Sequence, residues 1–428
     1  MKLKYIVLFI ILQGVLMSAT LKNIIYNSTT IPVVFEESHS LPIFNLQLVF
    51  KNSGYITDKQ KHGITNITAK LLSEGTKKDG AVNFARKLEN DAIEIETSTG
   101  TETFVIEISC LATEYKQALK YLEEILKNPN ITNDSLEKVK NLTLSKLQQK
   151  QNDFDYVAST GLKSMIFKNT PLEFSKTGTI QSIKDLTTKD IKQKLNSILN
   201  INNLIVVVGG DIKFKEFKKQ LTPILTHLKD TKVKNFDKIS VDTTSKYKEI
   251  KKETQQSYIY FASPFDIKYN SKNNYKAKVA SFILGGSGFG SRLMEEIRVK
   301  NGLAYSAYGY ISNKKSHSYF TGYLQTKLSN TTKAKDMVKK IVKDFVKNGV
   351  TKEELEAAKK FLSGSEPLRT ETFSQRLNRA FYLYYKGLPF DYPQKELQQI
   401  ESLSLEELNN FIKSHKEMIN LSFCIVTK

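Results

Sequence analysis

The sequence predicts an α+β protein built as two homologous halves, each a mainly antiparallel sheet with helices packed on one face. Three observations predict it. The same order of strand-like and helix-like segments occurs twice along the 428 residues. Several strand-like runs alternate apolar and polar residues, as half-buried strands do. The helical segments lie in consecutive runs, which argues against a strictly alternating parallel fold.

Each half opens on a strand, FNLQLVF at 44–50 and SYIYFASPF at 257–265. An apolar-faced helix with a glycine break follows, GITNITAKLLSEGT at 63–76 and KAKVASFILGGSG at 276–288. Next comes an alternating strand, TETFVIEISCL at 101–111 and SYFTGYLQT at 318–326. A long helical pair follows in each: EYKQALKYLEEILKN with NDSLEKVKNLTLSKLQQK, then KAKDMVKKIVKDFVKNG with TKEELEAAKKFLSGS. After a short helix each half closes on a β-branched strand, NNLIVVVGGDI at 202–212 and INLSFCIVTK at 419–428. The halves span 20–228 and 253–428, and the stretch 229–252, which has no strong period, reads as a linker. The aromatic run FYLYYKG at 381–387 suits a core or an interface, and periodicity does not decide between them.

Residues 1–19 read as a secretory signal peptide. Lys2 and Lys4 precede the apolar run YIVLFIILQGVLM, and the small residues Ser18 and Ala19 follow. The run is shorter than the roughly 20 residues a spanning helix needs, which favours cleavage over a retained anchor. The expectation is export, to the periplasm in a bacterium, with no stable membrane insertion after cleavage. Cys110 and Cys424 are the only cysteines, and each sits in a strand-like run, so buried free thiols are expected in place of a disulfide framework. The formal charge of +20, two units of it from Lys2 and Lys4, is lysine spread along the chain. A nucleic-acid binder clusters its basic residues on one element, and no such cluster occurs here.

The stretch 63–76 poses the functional question. Ile64, Ile67, Leu71 and Leu72 share one face of a helix, with Asn66, Lys70 and Ser73 on the opposite face and Gly75 as a stop. A zinc-protease helix carries two histidines four apart at such positions, with a glutamate beside them as base. Here Asn66 and Lys70 stand at that spacing. The five histidines, His39, His62, His227, His317 and His415, offer no pair within a helical turn.

The second half contains LGGSGFGSRLMEEIRVKNGLAYSAYG at 284–309. Its glycines, Gly285, Gly286, Gly288 and Gly290, lack the Lys-Ser/Thr of a phosphate loop and read as a flexible turn. With the doubled organisation, this stretch resembles the second-half signature of the insulinase-type, or M16, metallopeptidases, especially their short bacterial and mitochondrial-processing-peptidase-like members. The signature includes an Arg-x6-Tyr pair, here Arg298 and Tyr305. The resemblance covers nearly all of the chain after residue 19 and implies the LuxS/MPP-like metallohydrolase fold, its two halves enclosing a chamber that the glycine turn faces.

Laid on Gly63 and Gly75-Thr76, the family motif Gly-x-x-His-x-x-Glu-His puts the zinc histidines at Asn66 and Lys70, the catalytic glutamate at Ala69 and the third ligand at Lys146. No metal is therefore expected in this chain, because cations repel zinc and an alanine cannot act as a base. In some family members one subunit holds zinc and another supplies the arginine and tyrosine. The resemblance thus implies a non-catalytic subunit whose Arg298 and Tyr305 complete the site of an HxxEH-bearing partner, with zinc in that partner and peptides as substrates. Two alternatives are a structural or assembly subunit, and an active zinc endopeptidase with a rearranged metal site. An edge strand near TETFVIEISC is the expected place for a peptide to add as a strand, and lysines at 70 and 146 imply a preference for acidic or C-terminal carboxylate groups.

Overall fold

A computed structural model describes residues 19–232 and 235–428. Apart from Ala19, the expected signal peptide lies outside the described residues. The first half comprises β1 (Thr20–Tyr26), β2 (Thr29–Glu37), β3 (Ile43–Lys51), α1 (Ile64–Leu72), α2 (Gly80–Asn90), β4 (Glu94–Thr99), β5 (Thr103–Leu111), α3 (Tyr115–Lys127), α4 (Asn133–Gln149), α5 (Phe154–Ile166), α6 (Ile180–Lys184), α7 (Thr188–Ile198), β6 (Leu204–Gly210) and α8 (Phe214–Leu225). The second comprises β7 (Tyr247–Lys251), β8 (Gln256–Pro264), α9 (Asn274–Ser281), α10 (Arg292–Met294), β9 (Ala304–Asn313), β10 (Ser318–Lys327), α11 (Thr331–Asn348), α12 (Lys352–Gly364), α13 (Phe373–Lys386), α14 (Tyr392–Ser402), α15 (Leu405–Ser414) and β11 (Ser422–Thr427). Among the described residues no helix is long and apolar enough to cross a membrane.

The two sheets have the orders β1-β2-β6-β3-β5-β4 and β7-β11-β8-β10-β9. Without β1 they superpose in sequence order, β2 matching β7 and β4 matching β9. In each, only the first pair is parallel, β2 with β6 and β7 with β11. The doubled α+β architecture read from the sequence is the one observed. The linker expected at 229–252 is not free of structure: Tyr247–Lys251 forms β7, the counterpart of β2. Its sequence YKEIK is almost wholly exposed, so no burial pattern marks it.

Inner strands such as β6 and β11 are buried on both faces, because two layers cover them. In β2 and β6, Val33, Phe35, Val206 and Val208 face the main first-half core, while Val34, Ile205 and Val207 face a second cluster. That second cluster is closed by Phe373, Leu377 and Ala380 of α13, a helix from the other half. The exchange is reciprocal. Leu162 and Ile166 of α5, from the first half, pack with Ala262 and Cys424 on the second sheet. Helices on one face of each sheet, the sequence-based expectation, therefore describes only each half's own helices.

Polar contacts pin the exchanged helices. Asp155 of α5 accepts from Tyr260 Oη at 3.0 Å and from Gln325 Nε2 at 2.8 Å. Arg376 Nε of α13 donates to Glu36 at 2.8 Å. At the junction Glu102 is 7% exposed and accepts from Ser316 N at 2.7 Å, Ser316 Oγ at 2.6 Å and Tyr385 Oη at 2.9 Å. The run at 381–387 thus joins core and inter-half contact.

Candidate functional site

Helix α1 forms because its apolar stripe is continuous: Ile64, Ile67, Leu71 and Leu72 are all buried. Its start is set by Asp58, whose carboxylate accepts from Gly63 N at 2.9 Å and Thr65 N at 3.3 Å and so satisfies donors that the first turn leaves open. Gly63 has φ +92, and a Cβ there would meet Ile183 Cδ1 and Thr177 O at 2.8 Å, so glycine is required. The opposite face of the helix, bearing Asn66 and Lys70, turns toward α4.

That face does not suit a divalent cation. Lys70 Nζ donates to Thr143 Oγ1 of α4 at 2.7 Å. Its own burial, then the ammoniums of Lys146 and Lys176, hold its pKa below the ordinary lysine value. Ala69 is buried and offers only a methyl group. The amide nitrogen of Asn66 is buried without a hydrogen-bond partner. The structure therefore brings Asn66, Lys70 and Lys146 into one region. The α4 residue that touches Lys70 is Thr143, one turn before Lys146. Zinc needs three lone-pair donors, and this set supplies ammoniums and one neutral amide. The histidines have other partners: His39 with Glu37 and Asp211, His62 stacked on Phe174, His227 with Glu123, His317 with Ser316 and His415 with Glu417. Among the described residues no group of three or more His, Cys, Asp or Glu could hold a metal ion.

The second-half pair is differently built. Arg298 lies in a π-helical turn, Glu295–Lys300. Such turns interrupt ordinary helix and recur at functional sites. Its guanidinium sits 4.4 Å from the centroid of the Tyr305 ring and 4.7 Å from that of Phe289. Tyr305 sits at a β-bulge in edge strand β9. Ala304 pairs with Thr326 and Ala307 with Leu324, so Tyr305 and Ser306 together oppose Gln325. The bulge re-aims the strand, and Tyr305 emerges 81% exposed. Arg298 is not a surface ion pair with its neighbours: Glu296 instead accepts from Lys300 at 2.7 Å.

The glycine turn positions this cluster. Gly288 and Gly290 have φ +67 and +86, which L side chains rarely adopt, while Gly285 lies so close to Gly309 that a Cβ would be 2.6 Å from its nitrogen. Gly286 is less constrained, its nearest contact being Ser281 O at 3.0 Å. Ser291 Oγ donates to Gly288 O at 2.7 Å and ties the turn to the start of α10. Phe289 is carried on this turn 71% exposed. Sequence reasoning missed Phe289, Thr143 and Lys176. The first had one signal, a lone aromatic between two glycines.

The two groups of residues belong to different halves, and no hydrogen bond or ion pair among the described residues joins them. One expectation needs correction: the segment near TETFVIEISC is not an edge. Strand β5 lies between β3 and β4, and the edge is β4. Strand β4 runs beside α1, where Thr99 Oγ1 donates to Thr65 O at 3.2 Å.

Family models match most of the chain. Residues 33–179 match the insulinase (peptidase family M16) model, and residues 185–362 match the peptidase M16 inactive domain model. The "Non-peptidase homolog YmxG" of Helicobacter pylori is 44% identical over 403 residues, covering 94% of this chain and 93% of that protein. The "Uncharacterized zinc protease YmxG" of Bacillus subtilis is 21% identical over 318 residues, covering 74% of this chain and 77% of that protein. A solved structure of a peptidase M16 inactive domain from Pseudomonas fluorescens has a TM-score of 0.86 at 22% identity, covering 95% of this chain and 98% of that one.

Proposed function

The chain belongs to the insulinase family of M16 peptidases, and from that membership we propose that it is an inactive homologue acting as the non-catalytic subunit of a two-chain metallopeptidase. The observation that carries the reading is the contrast between its two halves. Helix α1 has no residue to bind zinc or act as the base, while a half-buried Arg298 is stacked on an exposed Tyr305, both on irregular backbone. The name of the Helicobacter pylori relative, a non-peptidase homologue, supports the first part of this reading.

A partner carrying the HxxEH helix supplies the zinc-activated water and the base. This chain supplies electrostatics and positioning. The Tyr305 hydroxyl donates to the oxyanion that forms on the scissile carbonyl. Arg298 holds substrate carbonyl or carboxylate oxygens in its fork. A substrate peptide adds as a strand to the edge of β4, beside α1. A structural subunit would have no use for such an arginine–tyrosine stack. The basic, apolar and small order of the N-terminal residues supports export, and the place of action is then the periplasm.

The test is reconstitution. The tagged chain is purified from its native extract, and zinc and peptidase activity are read on the complex and on the chain alone. An HxxEH-bearing partner with activity only in the complex is expected. Stoichiometric zinc and activity in the isolated chain would overturn the reading. A complex with neither would leave a structural role.

A further inference from the structure

The place where relatives hold a cation is, in this chain, lined with unneutralised donors. Three ammoniums approach it from three segments: Lys70 on α1, Lys146 on α4 and Lys176 in the loop before α6. Among the described residues none of the three has a carboxylate within ion-pair distance. Other lysines of helix α4 do have carboxylate partners: Lys138 is paired with Glu74 at 2.7 Å and Lys140 with Glu137 at 2.8 Å. One turn before Lys70, on the same face of α1, the buried Asn66 Nδ2 has no acceptor. Native structures rarely leave such a donor unpaired. Among the described residues the acceptor meeting Lys70 is the Thr143 hydroxyl.

We propose that the cleft between α1 and α4 is an oxyanion-binding site, formed by Lys70, Asn66, Thr143, Lys146 and Lys176, whose ligand is a peptide carboxylate. An oxyanion there accepts from the Asn66 amide and offsets part of the positive charge of the three ammoniums. The neighbouring edge strand explains how a peptide reaches it. Strand β4 is fastened along α1, and a chain added to its free edge runs past this cleft. The oxyanion site rests on the Lys70–Thr143 contact and the unpartnered Asn66 amide, with the ammoniums of Lys146 and Lys176 nearby. Its assignment to a peptide rests on the proposed role in peptide handling.

The experiment is direct binding to the isolated chain, without any partner or activity readout. Fluorescence anisotropy compares a labelled acidic peptide with a free C-terminus against its neutral, amidated counterpart, with inorganic phosphate as competitor. The acidic peptide is expected to bind about tenfold or more tightly than the neutral one. Lys70→Met is expected to remove that preference. Because Lys146 and Lys176 are exposed, Lys146→Glu and Lys176→Glu test the site without disturbing folding, and each should weaken binding by about tenfold. Lys138→Glu, outside the cleft, should leave it unchanged. Competition by phosphate with no preference among peptides would keep an anion site and overturn the peptide assignment. Binding indifferent to charge and to all three substitutions would overturn the site itself. Failure of the reconstituted complex to hydrolyse peptides, with this binding intact, would count against the two-chain peptidase alone.

Discussion

The guanidinium of Arg298 lies over the ring of Tyr305, 4.4 Å from its centroid. Six residues lie between the two in sequence, and the contact exists because a π-helical turn and a β-bulge redirect them toward one another. Phe289 meets the same guanidinium from the glycine turn. The three side chains form a unit that presents a hydroxyl and a guanidinium fork to solvent.

Tyr305→Phe keeps the ring and the stack and removes only the hydroxyl. In the reconstituted pair, kcat/KM should fall by about 10²–10³, the usual consequence of deleting an oxyanion donor. Phe289→Ala removes one face of the arginine's support, worth about 0.5–1 kcal/mol at an exposed site, or about two- to fivefold in rate. Neither change should lower the Tm, because both rings are exposed. A silent Tyr305→Phe would remove the oxyanion role and leave the pair as a binding element.

Glu102 joins the halves through Ser316 and Tyr385. Glu102→Gln turns an acceptor of several hydrogen bonds into a group that presents donors to a backbone N–H. Urea unfolding should report a loss of about 2–3 kcal/mol. Equal stability of variant and parent would show that the junction re-forms without the carboxylate.

His317 gives stability a pH dependence. It is 5% exposed, and burial, with Lys314 and Lys163 nearby, pushes its pKa down from 6.5 to about 3. The unfolded state therefore binds the proton more readily than the folded state. The stabilising contribution is present above pH 6.5 and is lost progressively as pH falls toward 3. Between pH 7 and pH 5 this group should cost about 2 kcal/mol. His317→Gln should flatten that part of the pH–stability profile. An unchanged slope would place the titration elsewhere.

Gly161 lets α5 approach the second sheet. A Cβ at this position would lie 2.6 Å from Cys424 Sγ. Gly161→Ala should destabilise by about 1–3 kcal/mol through overpacking. The double variant with Cys424→Ala should recover most of that loss, a coupling readable in a double-mutant cycle. Additive effects would mean that the helix shifts rather than clashes.

The doubled architecture, the apolar stripe of α1, the altered positions Asn66, Ala69 and Lys70, and the candidate pair Arg298 and Tyr305 were all legible in the sequence. Each rests on local information: a period of two or 3.6, or a fixed spacing along the chain. A periodic pattern reports which face is buried, not what buries it. The run LIVVVGG reads as a β-branched strand, but only the fold supplies α13 as a cover on its second face. Strand β7 was invisible because an exposed edge strand has no pattern to show. Placing β4 at the sheet edge, setting Thr143 against Lys70, bringing Lys176 near Lys146 and drawing Phe289 onto Arg298 all required tertiary structure. Each joins residues whose proximity is created by packing between elements, and packing is a property of partners that a single stretch of sequence does not contain.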